Sequence, residues 1–170
     1  MSDSLQAASD ALALRFGAKA HTARGELTVI LPREHITAAA TMLRDEFAFD
    51  YLVDITAVDY FPEEQPRFHV IYQFVSHKTN QMLRLRVPLD GTFPEVQSVD
   101  KVYPGANWYE REVFDMFGVR FTGSRDLRRI VLPSDWQGHP LRKDFPLGYE
   151  EVQFNFNYDE IERRKPKPTK

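Results

Sequence analysis

His139 stands between Asp135 and Asp144, and a histidine with carboxylates close by in sequence could act as a general base held by an acidic orienter. Such chemistry also needs a nucleophile. Ser134 is near in sequence, but neither a nucleophile elbow nor an oxyanion-forming glycine run surrounds it. A His-Pro pair flanked by Trp136 and Leu141 is the ordinary composition of a packed structural turn, and that is the reading adopted. No catalytic residue is assigned to the chain.

Other chemistries are weaker still. His21, His35, His69 and His77 are scattered, without the three- or four-residue spacing that places two metal ligands on one helical face. The eight glycines form neither a dinucleotide fingerprint nor a phosphate loop, so no NADH or flavin site is expected. With no cysteine, the chain offers no thiolate for an iron–sulfur cluster or for a disulfide. Arg84, Arg86 and the Arg128-Arg129 pair could suggest RNA or phosphate binding. Yet Glu110, Glu112, Asp126, Asp135 and Asp144 are interleaved with the second cluster, as in an internal ion-pair network and unlike a polyanion-binding surface. The net charge of -3 points the same way.

The charged residues concentrate between Trp108 and Leu147. At helical spacing, Tyr109, Val113, Met116 and Phe117 share one face, while Arg111, Glu112 and Asp115 share the other, with Arg111 and Asp115 at the supportive four-residue separation. Glu110 projects between Phe114 and Phe117 beside the apolar face, so a cation is expected to meet it, from Arg128, Arg129 or Arg142. Gly118 is placed for a left-handed cap at the helix end, and Asn107 for a cap at its start, paired with Glu110. Beyond the helix, Pro133, Gly138, Pro140 and Pro146 interrupt regular structure. Leu132, Trp136, Leu141, Phe145 and Leu147 are too apolar for a solvated loop, and large anchors with arginines are what a protein interface uses.

Three runs carry a family resemblance. Glu110-Arg111-Glu112-Val113-Phe114-Asp115-Met116-Phe117-Gly118, then Asp126-Leu127-Arg128-Arg129-Ile130, then Asp135-Trp136-Gln137-Gly138-His139-Pro140-Leu141-Arg142-Lys143-Asp144-Phe145-Pro146-Leu147 together resemble the signature of the thirty-kilodalton, C-type subunit of NADH:quinone oxidoreductase, respiratory complex I. Asp54 to Tyr60 and Gly148 to Val152 are similar to the family as well, so the resemblance spans most of the chain from about Tyr51. The family usually has His-Pro where this chain has Ser124-Arg125, a departure that concerns the local turn. The resemblance implies a cofactor-free, non-catalytic subunit of the peripheral arm. It would sit on the cytoplasmic side of a bacterial inner membrane, beside the quinone-site subunit of the D type and near the subunits that hold FMN and iron–sulfur clusters. A related module occurs in membrane-bound nickel–iron hydrogenases and formate hydrogenlyases, the nearest alternative. A hydrolase built on Asp135, His139 and Asp144, and an RNA-binding module, are the alternatives from other classes.

The elements that must position this segment are legible upstream. Leu5, Ala8, Leu12 and Phe16 predict a helix ending at Gly17. Strands are expected at Ala20 to Ala23 and Glu26 to Leu31, a second helix carrying Ile36, Ala40, Leu43 and Phe47 after Pro32, and a strand from Tyr51 to Tyr60. Phe68, Val70, Tyr72 and Phe74 alternate strictly. After a turn at Ser76 to Asn80, Leu83, Leu85 and Val87 alternate against Arg84 and Arg86, which leaves one face of the sheet wet. The expected fold is an α+β two-layer sandwich, its largely antiparallel sheet covered by helices on one face, over residues 1–121 with the 107–117 helix included. Residues 122–170 form an extended partner-binding segment. Within it Val152, Phe154, Phe156 and Tyr158 alternate like a strand that adds to a partner's sheet edge, and Arg163 to Lys170 form a basic, proline-rich tail. With 42% hydrophobic and 28% charged residues the composition is that of a globular protein, and no apolar run reaches the roughly 20 residues of a membrane helix.

Overall fold

The computed structural model describes residues 3–146 and 154–164. Helix α1 (Asp3–Phe16) buries Ala8 and Leu12 and stops at Gly17, whose φ of 66° suits a residue without Cβ. Strands β1 (Lys19–Ala23) and β2 (Glu26–Ile30) form a hairpin. A 3-10 turn at Arg33–His35 leads into α2 (Ile36–Phe47), which buries Ile36, Ala39, Ala40, Met42 and Leu43 and ends at Ala48 in the left-handed region. Strands β3 (Tyr51–Asp59), β4 (Phe68–Ser76) and β5 (Gln81–Leu89) complete the main sheet.

The strand order is β1-β2-β5-β4-β3. All neighbours are antiparallel except β2 and β5, which the intervening α2, β3 and β4 bring side by side in parallel. Strict alternation on β4 and β5 sends Phe68, Val70, Tyr72, Phe74, Leu83, Leu85 and Val87 into the core, all with no solvent exposure, and leaves His69, Ile71, Gln73, Arg84 and Arg86 half-exposed on the other face. The expected α+β sandwich with one wet sheet face is thus observed. Its core is closed from the helical side by Tyr103, whose hydroxyl donates to the Phe49 carbonyl at 2.6 Å.

Two strands escaped the sequence reading. β6 (Glu95–Gln97) and β7 (Arg120–Thr122) pair in parallel as a separate two-stranded sheet that brackets α3 (Ala106–Phe117). Three residues are too few for a periodicity to register. Residues 123–146 contain neither helix nor strand, in keeping with their prolines and glycines.

The arm departs from expectation. Phe154 precedes a turn at 155–157, and Tyr158–Arg164 is a short helix, α4, so the strand predicted through Phe154, Phe156 and Tyr158 is not formed. Asn157 drives the change. Its side-chain oxygen accepts the N–H of Phe154 at 2.6 Å, its carbonyl accepts the N–H of Ile161, and Asp159 and Glu160 favour the N-terminal end of a helix. The Phe154 and Phe156 rings stack at 5.2 Å instead of lying on one strand face. Val152, Leu147, the Gly148 to Val152 run and the tail beyond Arg164 lie outside the described residues.

Candidate partner interface

The charged signature is organised around buried aspartates. Asp115, on α3, has no solvent exposure, although helical spacing had placed it on the polar side with Arg111. The loop after β7 folds back across α3 and covers that side. One carboxylate oxygen of Asp115 accepts from Arg129 Nη1 at 2.6 Å, and the other accepts the backbone N–H groups of Ile130, Val131 and Leu132 at 3.1, 2.8 and 2.9 Å. Burial pushes this carboxyl up, but the Leu132 N–H, the Arg129 guanidinium and the Val131 and Ile130 N–H groups outweigh it, so its pKa lies below the ordinary carboxylate range. Arg129 in turn donates to the carbonyls of Trp136 and Gly138, both at 3.0 Å. One ion pair therefore fixes two stretches of irregular chain.

Arg111 does not pair with Asp115. It reaches the Arg128 and Arg129 carbonyls at 2.9 and 3.1 Å and lies 3.8 Å from Asp126, whose carboxylate also holds Arg128. Asn107 is likewise not the cap of α3, which starts from Gly105. Its amide donates to Ser124 Oγ and to the Asp126 carbonyl, so it also ties down the loop. Arg125, where the chain departs from the family pattern, bonds Asp100 through both backbone and side chain. Gly118 is the left-handed cap foreseen, with φ 76°. It is required twice over, because a Cβ there would stand 2.6 Å from the His139 ring.

Glu110 is fully buried, as its position implied, but the cation expected beside it is absent from its hydrogen bonds. Its carboxylate accepts Ser98 Oγ at 2.7 Å and the Val99 N–H at 2.8 Å. Arg128, Arg129 and Arg142 are engaged with Asp126, Asp115 and Asp144 instead. Burial raises the Glu110 pKa more than Ser98 and Val99 lower it. Residues next to β6, which carry no charge, supply these donors.

The far end of the loop is held by a second aspartate. Asp59 closes β3 and receives Arg67 through two bonds of 2.9 and 3.0 Å, the Phe61 N–H at 3.0 Å and the Lys143 N–H at 2.8 Å. Burial opposes ionisation, yet Arg67 and the two N–H groups prevail and lower the carboxyl to about 2. Arg67 also meets Asp144 at 2.7 Å and stacks over Phe61 and Phe68, while Arg142 covers Phe68 from 5.0 Å. Arg67, at the centre of this knot, was not singled out from the sequence, and Asp59 entered only as part of the family-like run from Asp54 to Tyr60. A lone aspartate at a strand end gives no signal until its partner is known.

His139 donates from Nδ1 to the Asp115 carbonyl at 3.0 Å and packs edge-on against Phe114. Asp144 belongs to Arg67, and Asp135 is exposed. The acid–base trio is therefore not assembled. Among the described residues no group of three or more histidines, cysteines or carboxylates is close enough to hold a metal ion, and no helix is long and apolar enough to cross a membrane.

With its backbone fixed by polar anchors, the loop turns apolar side chains outward. Val131 is 61% exposed and Leu141 53%, and Ile130, Trp136 and the helix residue Trp108 are exposed as well. Residues 120–146 also carry Arg120, Arg125, Arg128, Arg129, Arg142 and Lys143 against Asp126, Asp135 and Asp144, a basic surplus within a chain of net charge -3. Glu112 and Leu141 are among the residues lining the cleft between β3 and α3. Exposed apolar side chains on a backbone tied down by polar anchors suit a protein partner.

The chain is similar to known proteins over most of its length. The family described as respiratory-chain NADH dehydrogenase, 30 Kd subunit, matches residues 29–151. The C-type subunit of NADH-quinone oxidoreductase from Roseiflexus sp. (strain RS-1) is 48% identical over 145 residues, covering 84% of this chain and 83% of its own. The protein of the same name from Acidithiobacillus ferrooxidans (strain ATCC 53993 / BNL-5-31) is 46% identical over 166 residues, 91% of this chain and 82% of its own. Among solved structures, a trypsin-resistant fragment of Nqo5 superposes with a TM-score of 0.65 at 30% identity, covering 73% of this chain and 99% of the fragment. A chain of the membrane-bound sulfane sulfur reductase, an archaeal respiratory membrane complex, shares the fold with a TM-score of 0.73 at 22% identity, covering 86% of this chain and 87% of that one.

Proposed function

Because this chain belongs to the family of the 30-kilodalton subunit of respiratory-chain NADH dehydrogenase, and is thus a subunit of an NADH:quinone oxidoreductase, we propose that it braces the peripheral arm of that complex and contributes no reacting group of its own. The observation that carries this reading is the Asp115–Arg129 anchor. It holds Ile130 to Gly138 rigid from within and leaves Val131, Trp136 and Leu141 to face a neighbour. The partners proposed are the quinone-site subunit of the D type and the adjoining iron–sulfur subunits. FMN and the clusters reside on them, and electrons from NADH pass through them to quinone while protons are translocated. The chain itself has no cysteine to ligate a cluster. It would touch the membrane only through the complex, on the cytoplasmic side of the bacterial inner membrane, and bind no nucleic acid, its loop arginines being committed to aspartates. The engagement of Asp144 with Arg67 speaks against the hydrolase reading.

Purification from source membranes in mild detergent tests this. The chain is expected to co-migrate with flavin- and cluster-bearing subunits and to be blank in hydrolase and RNA-binding assays when isolated. Recovery only as a free monomer would overturn the proposal.

A further inference from the structure

The face of the main sheet opposite the core bears a cation with no acidic partner among the described residues. Arg86, on the central strand β5, donates from Nε to His69 Nδ1 at 2.7 Å and from Nη2 to the Tyr60 hydroxyl, and its guanidinium lies 5.2 Å from the Tyr60 ring centroid. Tyr60 packs edge-on against His69 at 5.0 Å, so the group is held from two sides. Its strand neighbour Arg84, by contrast, is matched by Glu26 at 3.0 Å. His69 accepts at Nδ1 and is therefore neutral. Burial and then the Arg86 charge lower its pKa to about 4. The clamp orients Arg86 without neutralising it.

The two cross-strand neighbours of Arg86 are aliphatic. The sheet register lines up Ile30, Arg86 and Ile71 across β2, β5 and β4, with Val58 on the adjoining row, all half-exposed. A half-desolvated guanidinium, fixed in place and framed by aliphatic side chains, matches a single carboxylate delivered by a complementary apolar surface. An anionic membrane surface would instead call for several basic residues together.

We propose that this open sheet face is a second docking surface, on which Arg86 receives an aspartate or glutamate of another subunit while Ile30 and Ile71 are buried. The inference rests on the membership of the complex proposed above, but concerns a face of the sheet remote from the Asp115 loop in sequence and supported by different residues.

The test uses the assembled complex, with the photo-reactive residue p-benzoylphenylalanine placed at Ile71 in one preparation and at Trp136 in another. From position 71 the expected product joins this chain to another subunit of the complex, at a segment containing an acidic residue. In parallel, Arg86→Gln should leave the chain's own thermal midpoint unchanged and reduce its retention on the complex after a high-salt wash by about ten-fold or more, with Arg86→Lys intermediate. Cross-links from position 71 only to lipid, to a second copy or to nothing, while Trp136 still reaches a subunit, would overturn this inference and leave the bracing function standing. So would full retention of Arg86→Gln. A chain that never co-purifies with other subunits overturns both.

Discussion

Leu132 donates its backbone N–H at 2.9 Å to a carboxylate seventeen residues earlier, that of Asp115 on α3. Without that bond, and its companions from Val131 and Ile130, three part-buried donors of an irregular loop would have no acceptor. The loop's path is set by one side chain on a neighbouring helix, which makes that side chain the most sensitive position of the loop.

Asp115→Ala is accordingly expected to cost about 3–5 kcal/mol, because it strands Arg129 and the three N–H groups together. Asp115→Asn should cost less, since one amide oxygen still accepts. Urea denaturation gives the totals, and amide exchange at Ile130 to Leu132 shows whether the loop opens before the sandwich. Uniform unfolding with no early loop exchange would refute the anchoring role.

Asp59 makes a pH prediction. Its folded pKa of about 2 lies below its ordinary value of 3.8. A depressed carboxylate stabilises the fold above its unfolded pKa, and that stabilisation fades as pH falls through the folded one. Stability should therefore decline between roughly pH 4 and pH 2, by about 2 kcal/mol from this residue. Asp59→Asn should be less stable at neutral pH and should flatten that part of the profile. An unchanged acid slope in Asp59→Asn would mean that Arg67 and the Lys143 N–H do not hold it.

Glu110 has the opposite sign. Its folded pKa is raised, chiefly by burial, so its contribution is fully present below the unfolded value and is lost as pH rises through the folded one. Glu110→Gln, which keeps the shape and removes the charge, should be as stable as the parent or more so above neutrality, and should not follow that decline. Glu110→Ala should cost about 1–3 kcal/mol by leaving Ser98 and the Val99 N–H unsatisfied. Denaturation of the three proteins from pH 5 to 9 separates these effects. A large loss in Glu110→Gln at pH 8 would indicate that the carboxylate charge is needed after all.

These residues also mark where the sequence could and could not be read. The sandwich was legible because its signals are local: alternation on β4 and β5, helical spacing in α1 and α2, and a glycine at the end of α3. Asp115 was misplaced because a helical wheel assigns the polar side to solvent, and here the following loop covers it. Glu110 was rightly placed in the core but given the wrong partners, since Ser98 and Val99 carry no charge pattern. The Phe154 to Tyr158 alternation was overridden by the Asn157 turn, and a period of two over so short a run competes poorly with a specific side-chain to backbone bond. The concentration of charged and aromatic residues over 108–147 was visible in the sequence; the contacts that Arg67 and Asp59 make with it come from too far along the chain to be inferred.

Gly118→Ala offers a cheaper probe of the same surface. The added methyl meets both a positive φ and the His139 ring at 2.6 Å, so a loss of about 1–2 kcal/mol is expected, together with displacement of His139 from the Asp115 carbonyl. The imidazole resonances report the displacement directly. An undisturbed His139 signal would show that the methyl is accommodated without moving the ring.

The last expectation concerns the C-terminal segment. Every buried hydrophobic residue among those described falls between Ala8 and Phe121, so a chain ending before Tyr149 retains the whole observed core. Its thermal midpoint should stay close to that of the full chain. If residues 149–170 grip a partner, the same truncation should weaken assembly in membranes. NADH:quinone activity should then fall while the flavin end of the complex still reduces an artificial acceptor. The tail from Arg163 to Lys170 is basic, so part of its hold is electrostatic, and rising salt should weaken the attachment of the full chain more than that of one lacking only the tail. A truncated chain that melts at lower temperature yet assembles normally would assign Phe154, Phe156 and Tyr158 to this subunit's own fold.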